Sequence, residues 1–247
     1  MWTCGQLKQN GKTIFKRNYW PCVGVSVLLG ILAADSDDTG VSSVISGMRS
    51  GFSTSSSGYD SYSTGYGMSD YITTIMLALS AFAAVIALLA IVYTIFVGNV
   101  ISVGGCRYFI NNRTGEGRVS DIFAMFKESY GNVLKVMLMR DIFIFLWTLL
   151  LIVPGIIKSY EYYLVPYIMA DNPGMDYHDA LELSKRMMYG QKWHTFVLGL
   201  SFIGWDLLSA ITLGIVGIFW TNPYRKATFC ELYEFSRIQA LNEGIIR

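Results

Sequence analysis

Charge is the first thing in short supply. Asp, Glu, Lys and Arg together make up 15% of the 247 residues, where a soluble domain carries about a quarter. More than half of the residues are hydrophobic, at 53%, and the mean hydropathy is positive. A soluble fold of this length needs more charge to cover its surface, so the composition excludes an ordinary soluble enzyme. Histidine is scarcer still, with only His178 and His194. There is no H-E-x-x-H zinc helix, no G-x-S-x-G nucleophile turn and no Walker A lysine loop. The four cysteines, Cys4, Cys22, Cys106 and Cys230, are too far apart for a CxxC metal or redox pair. They read as free thiols packed as small hydrophobes. A net charge of +1 gives no global attraction to nucleic acid. No cofactor or metal is called for, and the expectation is a protein that is not an enzyme.

What the chain has instead is long apolar runs. No charged residue occurs from Tyr71 to Cys106. The run 72–97 exceeds the ~20 apolar residues that a spanning helix needs. An earlier span is expected over 19–34, with aromatics at its start suited to the headgroup layer. Lys8, Lys12, Lys16 and Arg17 precede it, as in a signal peptide, but residues 31–34 make a poor cleavage site, so retention is expected. The block 142–157 is interrupted by Pro154 and Gly155, which break or bend a helix. A helix ending near Val153 and a second over 155–170 are expected. The second carries Lys158, Glu161 and Pro166, so a half-span or re-entrant segment is the alternative. The block 193–224 is too long for one span of a core ~30 Å thick. It divides at Thr212–Gly214 into two short spans, the second bending near Pro223.

Lysine and arginine gather on the cytoplasmic side. The basic segments before 19, over 107–135, over 185–192 and after 224 all belong inside, and the acidic segment 35–70 belongs outside. Only an even number of crossings satisfies them. Six spans with both termini cytoplasmic fit, and four spans with two re-entrant hairpins share that parity. Residues 35–70 are rich in Gly, Ser and Tyr, have too little aliphatic content for a core, and are expected to form a mobile outer loop. Two cytoplasmic helices are expected to lie at the membrane surface. One is capped by Ser120 and carries Ile122, Phe123, Phe126 and Tyr130 on one face before Gly131. The other runs from Asp176 to Gly190, with Ala180, Leu183, Met187 and Met188 as its stripe. The expected fold is all-α: a polytopic membrane bundle of about six transmembrane helices and two interfacial amphipathic helices, in one domain over 1–247.

The second half carries a set of short motifs: Pro154-Gly155-Ile156, Asp171-Asn172-Pro173, Ser184-Lys185, Gly190-x-Lys192-Trp193, Phe202-Ile203-Gly204-Trp205 and Pro223-Tyr224. Together they resemble a family of bacterial integral membrane proteins, mostly Gram-positive, known as domain of unknown function 975. The resemblance covers about 98–235 and the lysine-rich entry into the first span, but not the loop 35–70. It implies a multi-span helical fold in the bacterial cell membrane. It is similar to the membrane domains that accompany some glycerophosphodiester phosphodiesterases, and it implies no reaction.

Asp206 is the most informative single residue. A carboxylate near mid-helix in hydrocarbon costs several kcal/mol, so it faces the bundle interior or a wet cavity, with Lys158 or Arg140 as candidate partners. The competing reading places Asp206 at the outer interface beside Trp205. Lys158 and Glu161, one helical turn apart, read as a local ion pair. Asp206, Lys158, Glu161 and Arg140 are therefore the candidate intramembrane polar site, with Pro154, Gly155 and Pro223 as helix breaks that line a site or kink for packing. His178 with Asp176 and Asp179 resembles a metal cluster on paper, but a helix N-cap explains the same carboxylates with less. His194 beside Trp193 is an ordinary interfacial ring. The expected function is non-enzymatic binding or transport of a lipid, peptide or amphipathic solute in the bilayer. The alternative is a structural or accessory subunit with a membrane-protein partner or a second copy of itself, for example in an exporter or envelope-stress system.

Overall fold

The computed structural model describes residues 2–33 and 68–246, and these are built from helices and turns without strands. The segment expected as an outer loop, 35–70, lies outside the described residues except for 68–70, which open a helix.

Helix α1 (Cys4–Arg17) begins with a reciprocal cap. The Gln6 backbone N–H donates to Thr3 Oγ1 at 3.3 Å, and the Thr3 N–H donates to Gln6 Oε1 at 3.2 Å. Leu7, Gly11 and Phe15 recur every four residues and form its buried face. The chain leaves helical geometry at Asn18 and resumes as α2 (Tyr19–Leu32), the apolar segment expected there.

Next comes one continuous helix, Tyr71–Thr114, of 44 residues. It comprises α3 (Met68–Tyr93), a π turn (Thr94–Gly98) and α4 (Asn99–Thr114). At 1.5 Å per residue its length is about 66 Å, twice a bilayer core. Helix α2 runs antiparallel to α4. Asn18 pairs with Asn112 near one end (Nδ2 to Oδ1, 2.6 Å), and the Ala33 carbonyl abuts Gly98 at the other. Arg17 donates to the carbonyls of Asn112 (2.5 Å) and Arg113 (2.8 Å), placing a cation on the negative end of α4.

The chain then folds back along α4 through a 3-10 turn (Val119–Phe123) and α5 (Ala124–Glu128). The surface helix expected here is corrected in two respects. Ser120 lies inside the turn rather than capping it, and the Asp121 carboxylate instead accepts from the Arg118 N–H at 3.1 Å. The expected apolar face also splits. Ile122 and Met125 are buried, while Phe123 and Phe126 point outward. Ile122 can go inward because residue 104 is glycine: a Cβ there would lie 1.9 Å from the Ile122 carbonyl oxygen. Gly131 does not end a helix either, since it lies in the first turn of α6.

Helices α6 (Tyr130–Leu150) and α7 (Ile152–Glu161) form a hairpin. The break comes at Leu151, in extended geometry, and not after Val153. A proline ring clashes with the carbonyl four residues earlier, so Pro154 ends the helix before it and sits in the first turn of the next. Gly155 then packs directly against Thr148 across the hairpin. The segment expected as one helix over 155–170 is two, α7 and α8 (Val165–Asp171), separated at 162–164, with Pro166 in the first turn of α8 for the same reason. Helix α9 (Tyr177–Met187) follows, capped by Asp176 as expected, with Ala180, Leu181, Ser184 and Met187 buried.

A second hairpin consists of α10 (Lys192–Leu200) and α11 (Ile203–Ile211) on one arm, and a π turn (Gly217–Thr221) leading into α12 (Asn222–Asn242) on the other. Its tip is the expected turn at 212–214, where Leu213 (φ 52°) and Gly214 (φ 88°) are left-handed. Pro223 sits in the first turn of α12, directly after the π turn, which accommodates the backbone donor it lacks.

The core is built around α4 and α12, the two helices with the most buried residues, with α1 antiparallel on α12, and α8 packed on α4 and linked to α12 by Tyr167 against Tyr233. Three apolar limbs leave it uncovered: α3, the hairpin tip around Leu149–Val153, and the hairpin tip around Leu213, which is 93% exposed. Among the described residues two helices, Tyr71–Thr114 and Lys192–Ile211, are long and apolar enough to cross a membrane, and Tyr19–Leu32 is shorter.

Candidate functional site

The polar residues singled out in the sequence lie where the limbs join the core. They do not converge on one site; they form three separate clusters. The first is Asp206 with Arg225. Asp206 is in the first turn of α11 and Arg225 in the first turn of α12, brought together by the hairpin. Both carboxylate oxygens meet Arg225 Nη2, Oδ2 at 2.5 Å. The guanidinium carbon stands 5.5 Å from the centre of the Phe202 ring, a cation–π arrangement. The pair is lopsided: the Arg225 side chain is 10% exposed and the Asp206 side chain 48%. Breaking a fully buried pair by removing one partner costs about 3–5 kcal/mol, and the cost is less here, because Asp206 is half open.

The expected partners of Asp206 are thus corrected. Lys158 binds Glu161 (Nζ to Oε1, 2.9 Å), as the one-turn spacing predicts, and Arg140 binds its neighbour Asp141 at 3.0 Å. Arg225, 19 residues on from Asp206, reaches it only because the hairpin closes.

The second cluster is Glu161 itself. It is buried and holds two lysines, Lys158 and Lys192, the latter at 2.8 Å from Oε2. Lys192, 31 residues away, gave no local signal of this contact. The Glu161 carbonyl accepts from Ser184 Oγ at 2.8 Å, tying α9 to the hairpin. Lys158 also stands over the rings of Trp147 (5.4 Å) and Tyr162 (5.6 Å). One carboxylate against two ammonium groups leaves a local excess of positive charge at the foot of the first hairpin. The third cluster is Arg140–Asp141, where Asn99 Nδ2 donates to Asp141 Oδ2 at 2.8 Å and fixes α6 to the start of α4.

Toward the end of α4, Arg113 pairs with Glu231 and, at 3.3 Å, with Glu234, while Arg237 pairs with Asp171 at 2.9 Å. These join α4 and α8 to α12 and serve the packing. Asp176 caps α9 by accepting the His178 N–H at 3.3 Å, and the His178 ring is exposed. Among the described residues no three of His, Cys, Asp and Glu are grouped to hold a metal ion. The four cysteines form no disulfide, and Cys22, Cys106 and Cys230 are buried. Cys22 Sγ accepts from Asn112 Nδ2 at 3.2 Å.

An all-helical body from which uncovered apolar limbs extend, two of its helices long enough to cross a membrane, defines the class of protein. Residues 72–241 match the family described as protein of unknown function (DUF975), and the chain belongs to that family. No curated protein and no solved structure matches it.

Proposed function

We propose that this is a multi-pass protein of the bacterial cell membrane that binds or moves a lipid, peptide or other amphipathic compound without catalysing a reaction on it. Three antiparallel pairs make up six crossings: α2 with the long helix of α3 and α4, the hairpin of α6 and α7, and the hairpin of α10–α11 with α12. Each pair returns to the face it left, so both termini are cytoplasmic. Trp2 Nε1 donates to Gln191 Oε1 (2.7 Å), and Gln191 Nε2 donates to Gln239 Oε1 (2.9 Å), so the two ends of the chain meet at one end of the molecule, which supports this topology.

The observation that carries the reading is the Asp206–Arg225 pair. Its carboxylate is half open, and exposed Ile203, Trp205 and Leu207 surround it in sequence. An amphipathic ligand needs an apolar wall beside a charge, and a cationic or hydrogen-bonding head suits the open side of Asp206. The test is native mass spectrometry of the protein released from lipid nanodiscs. Wild type is expected to retain a discrete bound mass, weakened in Asp206→Asn and kept in Asp206→Glu. Equal retention by all three overturns the role of Asp206.

A second reading, a partner or accessory subunit, is favoured by α3, whose apolar side chains from 71 to 93 are all exposed and leave room for another helix. In the same spectra it shows as an attached second protein chain and indifference to Asp206.

A further inference from the structure

A cleft far from the charged clusters has the makings of a ligand site. It lies between the start of α1, the turn that joins α9 to α10, and the last turns of α12. Its volume is ≈ 470 Å³, within the range of small-molecule sites. Trp2, His194, Phe235 and Ile238 supply apolar and aromatic surface, and Gln191 and Gln239 supply amides. None of the residues lining it carries a formal charge, although Asp171, Glu234 and Arg237 form ion pairs on and beside the same helix.

The walls are fixed before any ligand arrives. Trp2 is buried, and its ring meets the His194 ring edge-on at 5.9 Å between centroids. The chain Trp2–Gln191–Gln239 is closed by hydrogen bonds of 2.7 and 2.9 Å, and Gln239 is anchored in turn by Glu243 at 2.8 Å. One group is left over. His194 Nδ1 is buried and has no hydrogen-bond partner among the described residues. A buried polar atom without a partner costs free energy until something supplies one. Beside the cleft, Tyr189 and Trp193 are largely exposed at the start of the apolar helix Lys192–Ile211, the position of aromatics in a membrane interface.

We propose that this cleft binds a small, uncharged aromatic compound carrying one hydrogen-bonding group, which seats its ring between Trp2, Phe235 and Ile238 and engages His194. A charged ligand would lose hydration with no counter-ion in the walls, so neutrality is part of the recognition. The cleft is separate from Asp206 and Arg225, and the inference stands independently of the transport reading.

The chain has only two histidines, so the test reads cleanly. Detergent-solubilised, histidine-labelled protein is titrated with indole, and the imidazole NMR signals are followed. The His194 signal is expected to shift and saturate, while that of exposed His178 stays still. Indole-3-carboxylate and tryptamine are expected to bind about tenfold more weakly or worse, a difference of ~1.4 kcal/mol. In Ile238→Trp, which fills the cleft, the indole shift is expected to vanish while the resting His194 signal persists. The proposal is overturned by an unmoved His194, by both histidines drifting together without saturation, or by charged analogues binding as well as indole. The wild-type titration decides the matter even if Ile238→Trp does not fold.

Discussion

The outer and inner halves of one continuous helix could hardly differ more. In α3 every residue from 71 to 93 is exposed, and almost all are apolar. In α4 nine of the sixteen residues are buried, among them Asn112, in a sequence that also contains Asn99, Arg107, Asn111 and Arg113. In a water-soluble protein the two would be exchanged, with the apolar half inside and the polar half out. Here the polar half packs because its groups find partners: Asn99 with Asp141, Asn111 with Asp121, Asn112 with Asn18 and Cys22. The apolar half has nothing of the protein to pack against. The exposed half is thus the more uniformly apolar one, and the buried half mixes apolar side chains with glycines and satisfied amides.

The strongest way to break that comparison is a charge in the outer half. On a water-facing helix, Leu88→Arg would change stability by less than about 0.5 kcal/mol. In the middle of a bilayer it costs about 3 kcal/mol. The yield of monodisperse protein recovered from membranes is expected to fall steeply for Leu88→Arg and to hold for Leu88→Phe. Equal yields for both would place α3 in water and undo the six-crossing reading.

A smaller effect sharpens the inner half. Gly104→Ala sets a methyl group 1.9 Å from the Ile122 carbonyl oxygen, so the turn at 119–123 must move. Overpacking of this kind costs about 1–3 kcal/mol. Thermal unfolding in detergent should show it as a lowered midpoint. Ala84→Leu, which adds three carbons in the outer half, is expected to leave the midpoint within error, since nothing of the protein is there to be displaced.

The same contrast explains what the sequence revealed. Apolar runs and turn residues are local, so the helices at 19–34 and 72–97, the Asp176 cap and the turn at Thr212–Gly214 were all legible. The break around Pro154 was legible in kind but misplaced, because a proline acts on the turn that precedes it, and the break before Pro166 was not read. Ion-pair partners were the harder part. Lys158–Glu161 lies within one turn and was read. Lys192–Glu161 and Asp206–Arg225 depend on how two hairpins close, and spacing along the chain does not encode that. The cleft around His194 was not legible at all, for its walls come from residues 2, 189–194 and 235–242, and the sequence offered only an ordinary ring beside Trp193.

The gentlest test lies at the exposed start of α9. The Asp176 carboxyl is held below the usual carboxylate range. Desolvation opposes this, but the His178 and Tyr177 backbone N–H groups and Lys135, 3.5 Å away, together outweigh it. A carboxyl whose folded pKa is depressed contributes stability above its unfolded value, about 3.9, and loses it as pH falls through the folded value. The cap on α9 should therefore be intact at pH 6 and weaken below about pH 4. Hydrogen exchange of the α9 amides, corrected for intrinsic rates, is expected to show protection falling over that window in wild type. In Asp176→Ala protection starts lower and the Asp176-dependent step is missing. An identical step in both would mean that Asp176 does not hold the end of α9 and that another carboxyl governs it. The exposed apolar α3, which has no titratable side chain between Tyr71 and Tyr93, should show no such step in either protein, so a single pH series separates the two helices.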